Sequence, residues 1–118
     1  MGTTWSLRVD NPHMLPLDAL RHAVQSALDE VVAQMSHWDA DSALGRFNRA
    51  PAGSTHVLPE AFNTVLARAL HWADASGGAL DPAMGPLVAL WGFGPDAVAH
   101  DDLPPDAATL AAARARCG

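Results

Sequence analysis

A chain of 118 residues is the length of one domain and can bury about two-thirds of the surface that its unfolded form exposes. With 49% hydrophobic and 17% charged residues, it reads as a packed globular unit and not as a disordered tail. Net charge is −6 and the seven basic residues are arginines scattered along the chain, so the basic face that a nucleic-acid surface needs is missing. The single cysteine, Cys117, has no internal disulfide partner. No run reaches the ~18 apolar residues of a membrane span, and no basic-then-apolar leader precedes the first element. As written, the chain is expected to be soluble and without an export signal.

Met1 to Asp10 alternates, with Trp5, Leu7 and Val9 on one face and Thr4, Ser6, Arg8 and Asp10 on the other. That pattern predicts a half-buried strand, stopped by Asn11-Pro12. The only other strand candidate is the short His56-Val57-Leu58. Helical spacing of Leu17, Leu20, Val24, Leu28, Val31 and Met35 predicts a helix over 17–35. Asp41 or Ser42 can then cap a short helical turn carrying Leu44 and Phe47 inward. A second long helix is expected over 59–75, with Phe62, Val65, Leu66, Ala69 and Trp72 as its apolar side. An alanine-rich helix over 105–116 has Leu110 as its large anchor. A strand without neighbours implies an incomplete domain, so residues 1–118 are expected to be the N-terminal part of a longer one. The fold class expected is α+β: an opening strand of a larger sheet, plus three or four covering helices.

The stretch SGGALDPAMGPLVALWGFGP, residues 76–95, combines five glycines and three prolines with large apolar side chains around a single acid, Asp81. Interior glycines disfavour a plain core helix by about 1 kcal/mol each against alanine. Gly77 and Gly78 can take positive φ and leave amides uncovered, as phosphate and nucleotide sites often require. They can equally end the preceding helix. Asp81 either takes a ribose hydroxyl or backbone amide as its partner or caps a helix started by Pro82. Trp38 offers a face for stacking on a flat ring, or sits as a core tryptophan between two helices.

Six histidines show no i, i+4 pairing and no cysteine partner, which points to ordinary histidines and to no metal site in this chain. His37, Asp39 and Asp41 could crowd a cation, although turn chemistry accounts for the acids equally well. No hydrolase elbow, Walker loop or dinucleotide fingerprint is present.

Four linked segments, Met1-Gly2-Thr3-Thr4-Trp5, Met35-Ser36-His37-Trp38, Asp41-Ser42 with Arg46-Phe47-Asn48, and residues 76–95, occur in the order found in the ApbE family. The chain resembles the first third or so of such a protein. The resemblance implies an FAD:protein FMN transferase that binds FAD, uses magnesium, and moves FMN onto a Thr hydroxyl of a target flavoprotein with release of AMP. It implies FAD contacts at Met1, Trp38, Ala79, Leu80 and Asp81, with no catalytic residue and no metal ligand here. The magnesium ligands, an Asp and a Thr, are expected beyond Gly118. Members are often exported, membrane-anchored lipoproteins. Because Met1 is both start and motif, a leader is expected to be absent or trimmed. Two rivals remain: a flavin-binding protein that does not transfer, and a truncated, inactive fragment.

Overall fold

The computed structural model describes residues 4–98 and 103–117. The chain divides into two compact units, Met1–His56 and Val57–Gly118. Five helices are present among the described residues: α1 (Asp18–Met35), α2 (Ala43–Asn48), α3 (Glu60–Ala75), α4 (Gly85–Leu90) and α5 (Ala107–Arg114). The α+β expectation needs correction, because no strand occurs among them. Residues 4–10 stay irregular, and so do 56–58. A ladder requires a second segment to exchange hydrogen bonds with, and no described residue supplies one. Residues 1–3 of the expected strand lie outside the described residues.

In the first unit, the alternation nevertheless acts as a face. Trp5, Leu7 and Val9 line an open recess with Leu17, Leu20, Arg21 and Val24 of the α1 region. The turn into α1 is closed by Asn11, whose side chain accepts from the Leu15 N–H at 2.9 Å and donates to the Leu15 carbonyl at 2.9 Å. Within α1, Val24, Leu28, Val32 and Met35 are half-covered, whereas Leu20 and Val31 of the expected stripe are exposed. Helix α1 packs on α2. Of the expected inward residues of α2, Leu44 is half-buried but Phe47 is exposed, its ring meeting His56 edge-on at 5.9 Å. The small Ala43 and Gly45 are buried instead.

The second unit starts with α3, whose Phe62 is only 4% exposed. Leu66, Ala69 and Ala73 continue its covered side, while Val65 and Trp72 face outward. Helix α4 packs on α5, and Leu90 of α4 and Leu110 and Ala113 of α5 are buried or half-buried. Asp106 caps α5: one carboxylate oxygen accepts from the Thr109 N–H at 2.9 Å, the other from the Thr109 hydroxyl at 2.9 Å. Those bonds hold its carboxyl below the usual carboxylate range.

The buried apolar residues among those described are Ala43, Phe62, Leu90 and Ala113, and two of these are alanines. Burial at roughly 25 cal/mol per Å² of apolar surface needs more large side chains than Phe62 and Leu90 to offset chain entropy. Urea unfolding of the 118-residue chain is therefore expected to be shallow, with a slope below about 1 kcal/mol per molar. A steep two-state transition followed by circular dichroism would contradict this.

Candidate functional site

Helix α1 ends where the backbone N–H of Ser36 donates to the Val32 carbonyl at 3.1 Å. The chain then loops through residues 36–42 before α2 begins. Ser42 is 0% exposed. Its hydroxyl donates to the Ser36 carbonyl at 2.6 Å and accepts from the Gly45 N–H at 2.8 Å. The cap alternative is thereby settled for Ser42 over Asp41. Such a cap is worth about 0.5–2 kcal/mol relative to alanine. Asp39 shapes the loop from within, its carboxylate accepting from the Asp41 N–H at 2.8 Å. Arg46 and Arg49 donate to the carbonyls of Asp41 and Ala40.

Trp38 stands on this loop, 63% exposed, with its indole tilted against the His37 ring at 5.2 Å. A core tryptophan between two helices would be covered, so that alternative does not describe the ring in this unit. A large flat apolar face is left open to solvent.

Ala79, Leu80 and Asp81 lie in the second unit. Helix α3 ends in a paired-glycine stop: Gly77 at φ 60° donates to the Asp74 carbonyl at 3.0 Å, and Gly78 at φ 83° donates to Ala73 at 2.9 Å. This is the Schellman arrangement of helix ends. It corrects the reading in which these amides await a phosphate, because both are already donated. Helix α4 ends in the same way: Gly92 at φ 79° donates to Ala89 at 3.0 Å and Phe93 to Val88 at 3.1 Å. Much of the glycine content of residues 76–95 is thus spent on stopping two helices.

Asp81 is half-buried and not enclosed by apolar groups. Its Oδ1 accepts from the Ala83 N–H at 2.7 Å, an Asx turn that leads into α4 without capping it, since α4 starts at Gly85. Among the described residues no donor reaches Oδ2. Asp81 borders a recess of about 320 Å³ lined also by Leu70, Ala73, Gly78, Leu80 and Pro82. An acceptor oxygen at the rim of a mostly apolar hollow suits a ligand hydroxyl. Ala79 and Leu80 are exposed beside it. Met1 lies outside the described residues. The structure therefore brings Leu80 and Asp81 to one recess and carries Trp38 on a separate unit. Gly45 fits tightly, a Cβ there standing 2.6 Å from the Asp39 and Ala40 carbonyl oxygens, and this was not foreseen. Its one sequence signal is a glycine inside a helix, a position that ordinarily favours alanine.

The profile of the ApbE family matches residues 1–118. The chain belongs to the ApbE family. A Klebsiella pneumoniae (strain 342) protein named FAD:protein FMN transferase is 41% identical over 118 residues, covering 100% of this chain and 33% of that protein. The solved flavin transferase ApbE from Vibrio cholerae superposes with a TM-score of 0.82 at 36% identity, covering 92% of this chain and 35% of that one. The apo flavinyl transferase ApbE of Pseudomonas stutzeri gives 0.78 at 32% identity, over 92% and 36% respectively. The chain thus spans about a third of the length of the relatives it matches. No helix among the described residues is long and apolar enough to cross a membrane.

The glycine stops make a direct prediction. An alanine at Gly78 must adopt a left-handed φ, a strain of roughly 1–2 kcal/mol. Gly85 carries no positive φ and has open space around it. Gly78→Ala should lower the melting temperature, whereas Gly85→Ala should hold or raise it. Equal melting curves for the two variants would remove the helix-stop reading.

Proposed function

We propose that this chain forms part of the FAD site of an FAD:protein FMN transferase. In the reaction, the hydroxyl oxygen of a Thr in a target flavoprotein attacks the phosphorus of the FMN half of FAD. The pyrophosphate bond breaks and AMP leaves. The observation that carries the reading is the match over the whole chain to proteins bearing that name. Two features of the geometry support it. The exposed Trp38 indole suits stacking on a flavin or adenine ring. Asp81 Oδ2 suits a hydroxyl of the nucleotide, with Ala79 and Leu80 beside it. Met1 is assigned to FAD as well.

The same reading calls for magnesium, which offsets charge on the phosphates when bound. Among the described residues no three His, Cys, Asp or Glu converge to hold a cation. No step is assigned to the metal through these side chains, and its ligands are proposed to lie outside them. Attachment to a membrane as an exported lipoprotein belongs to the same proposal.

The test joins this chain in register to the part of the Vibrio cholerae transferase that it does not cover. The chimera should transfer FMN to a Thr-containing acceptor in the presence of magnesium, seen as a fluorescent acceptor band on a denaturing gel. The 118-residue chain alone should transfer none. A band from the chain alone would overturn the placement of the reacting centre. A chimera that holds FAD and never transfers it would favour a flavin-binding protein.

The site residues are tested in the same chimera. Stacking on an aromatic is worth roughly 1–3 kcal/mol and a hydrogen bond to a charged group roughly 1.5–3 kcal/mol. Trp38→Ala and Asp81→Asn should each weaken FAD binding by about one to two decades in calorimetric titration. Gln25→Ala, which removes only an exposed contact with Asp29, should leave affinity unchanged. Lower melting temperatures with unchanged affinity in both site variants would mean that Trp38 and Asp81 are structural.

A further inference from the structure

We propose that Ser42 is a positioning residue for Trp38, acting with Gly45 to close the 36–42 loop so that the indole is presented outward. The use of that ring rests on the flavin reading above; the clasp itself rests on geometry. A serine hydroxyl has one proton. The Gly45 N–H can only donate, so the Ser42 proton is directed at the Ser36 carbonyl, 2.6 Å away. Ser42 itself is 0% exposed; its bond from the Gly45 N–H is buried and its bond to the half-covered Ser36 is partly so. A buried polar group left unpaired is costly, which makes this closure difficult to open.

The bonds lead directly to Trp38. The Ser36 carbonyl accepts the hydrogen bond from the Ser42 hydroxyl, and the Ser36 hydroxyl accepts from the Trp38 N–H at 3.3 Å. Farther round the loop, the Ser42 N–H donates to the Asp39 carbonyl at 3.1 Å. Gly45 permits the closure. A Cβ there would stand 2.6 Å from both the Ala40 and the Asp39 carbonyl oxygens, and backbone atoms cannot swing aside as a side chain does. Arg46 and Arg49 clip the Asp41 and Ala40 carbonyls from outside. The loop backbone is tied at Ser36, Trp38, Asp39, Ala40 and Asp41, while the large Trp38 side chain stays in solvent. A ring on a backbone already held loses less freedom on stacking than one on a mobile loop.

The experiment labels the intact chain with 5-fluorotryptophan and follows the four tryptophan lines by fluorine NMR, with Trp38→Phe assigning the Trp38 line. Ser42→Ala and Gly45→Ala should each shift and broaden the Trp38 line while the Trp72 and Trp91 lines of the other unit keep their positions. Should either buried variant lose its helices, the exposed double variant Arg46→Ala/Arg49→Ala decides, and it should move the same line by less. A Trp38 line unmoved in folded Ser42→Ala, or in the arginine pair when Ser42→Ala unfolds, overturns the proposal. FAD titrated into the chimera described above supplies the readout that a merely structural cap would not move. Ser42→Ala should lower FAD affinity about tenfold when Trp38 is present and leave it unchanged in a Trp38→Ala background. Additive losses would overturn the positioning role. A Trp38 line indifferent to FAD in the labelled chimera with no other substitution would count against the flavin reading and not against the clasp.

Discussion

The first unit depends on one buried hydroxyl. Ser42 Oγ joins the end of α1 to the start of α2, because its two partners, the Ser36 carbonyl and the Gly45 amide, belong to opposite sides of the loop. Helix α2 has six residues and could not persist alone, since nucleating a helix fixes several dihedrals for each early hydrogen bond. It persists because its first turn is capped from within and its small face, Ala43 and Gly45, is buried. A larger residue at Gly45 would meet the Asp39 and Ala40 carbonyls, which have no room to move away. Polar satisfaction, and not apolar area, organises this part of the molecule.

The second unit is organised by where its helices stop. Two glycine-based ends, at Gly77-Gly78 and at Gly92, turn the chain out of α3 and out of α4. Between them, the Asx turn at Asp81 aims residues 81–84 into α4 while leaving one carboxylate oxygen without a donor among the described residues. The glycines thus place the recess without lining it with free amides. The chemistry left for a ligand is an acceptor oxygen beside apolar side chains, which suits hydroxyls better than phosphates.

Large side chains such as Trp5, Met14, Trp72, Trp91 and Phe93 are widely exposed in both units. Scattered single exposed apolar residues are ordinary, but so many large ones exceed what a small core leaves outside. The relatives are about three times as long as this chain, which is the scale on which such faces are ordinarily covered. The low share of covered apolar residues and the high similarity to ApbE structures are therefore compatible: the local conformations match while few large side chains are enclosed.

Local rules carried a good part of this structure. Periodicity located α1 and α3 to within one residue at either end, and an alanine-rich stretch located α5 to within two, because spacing at 3.6, helix propensity and the placement of proline, acid and glycine act within a single turn. The linked motifs led to the ApbE family before any fold was visible, since residue types at fixed order need no geometry to be compared. The strand over residues 1–10 was legible only as an alternation, because a ladder is a property of two segments and one segment cannot supply it. The pattern placed Phe62, Leu66 and Ala69 on the covered side of α3, but that Val65 and Trp72 face outward, and that Trp38 is surface and not core, lay beyond it: both are decided by what else packs nearby. The choices between Ser42 and Asp41 as cap, and between a helix stop and a phosphate cradle at Gly77-Gly78, were left open by composition alone. Only the tertiary structure decided them, because a hydroxyl or an amide reveals its role when its one hydrogen-bond partner is found in space.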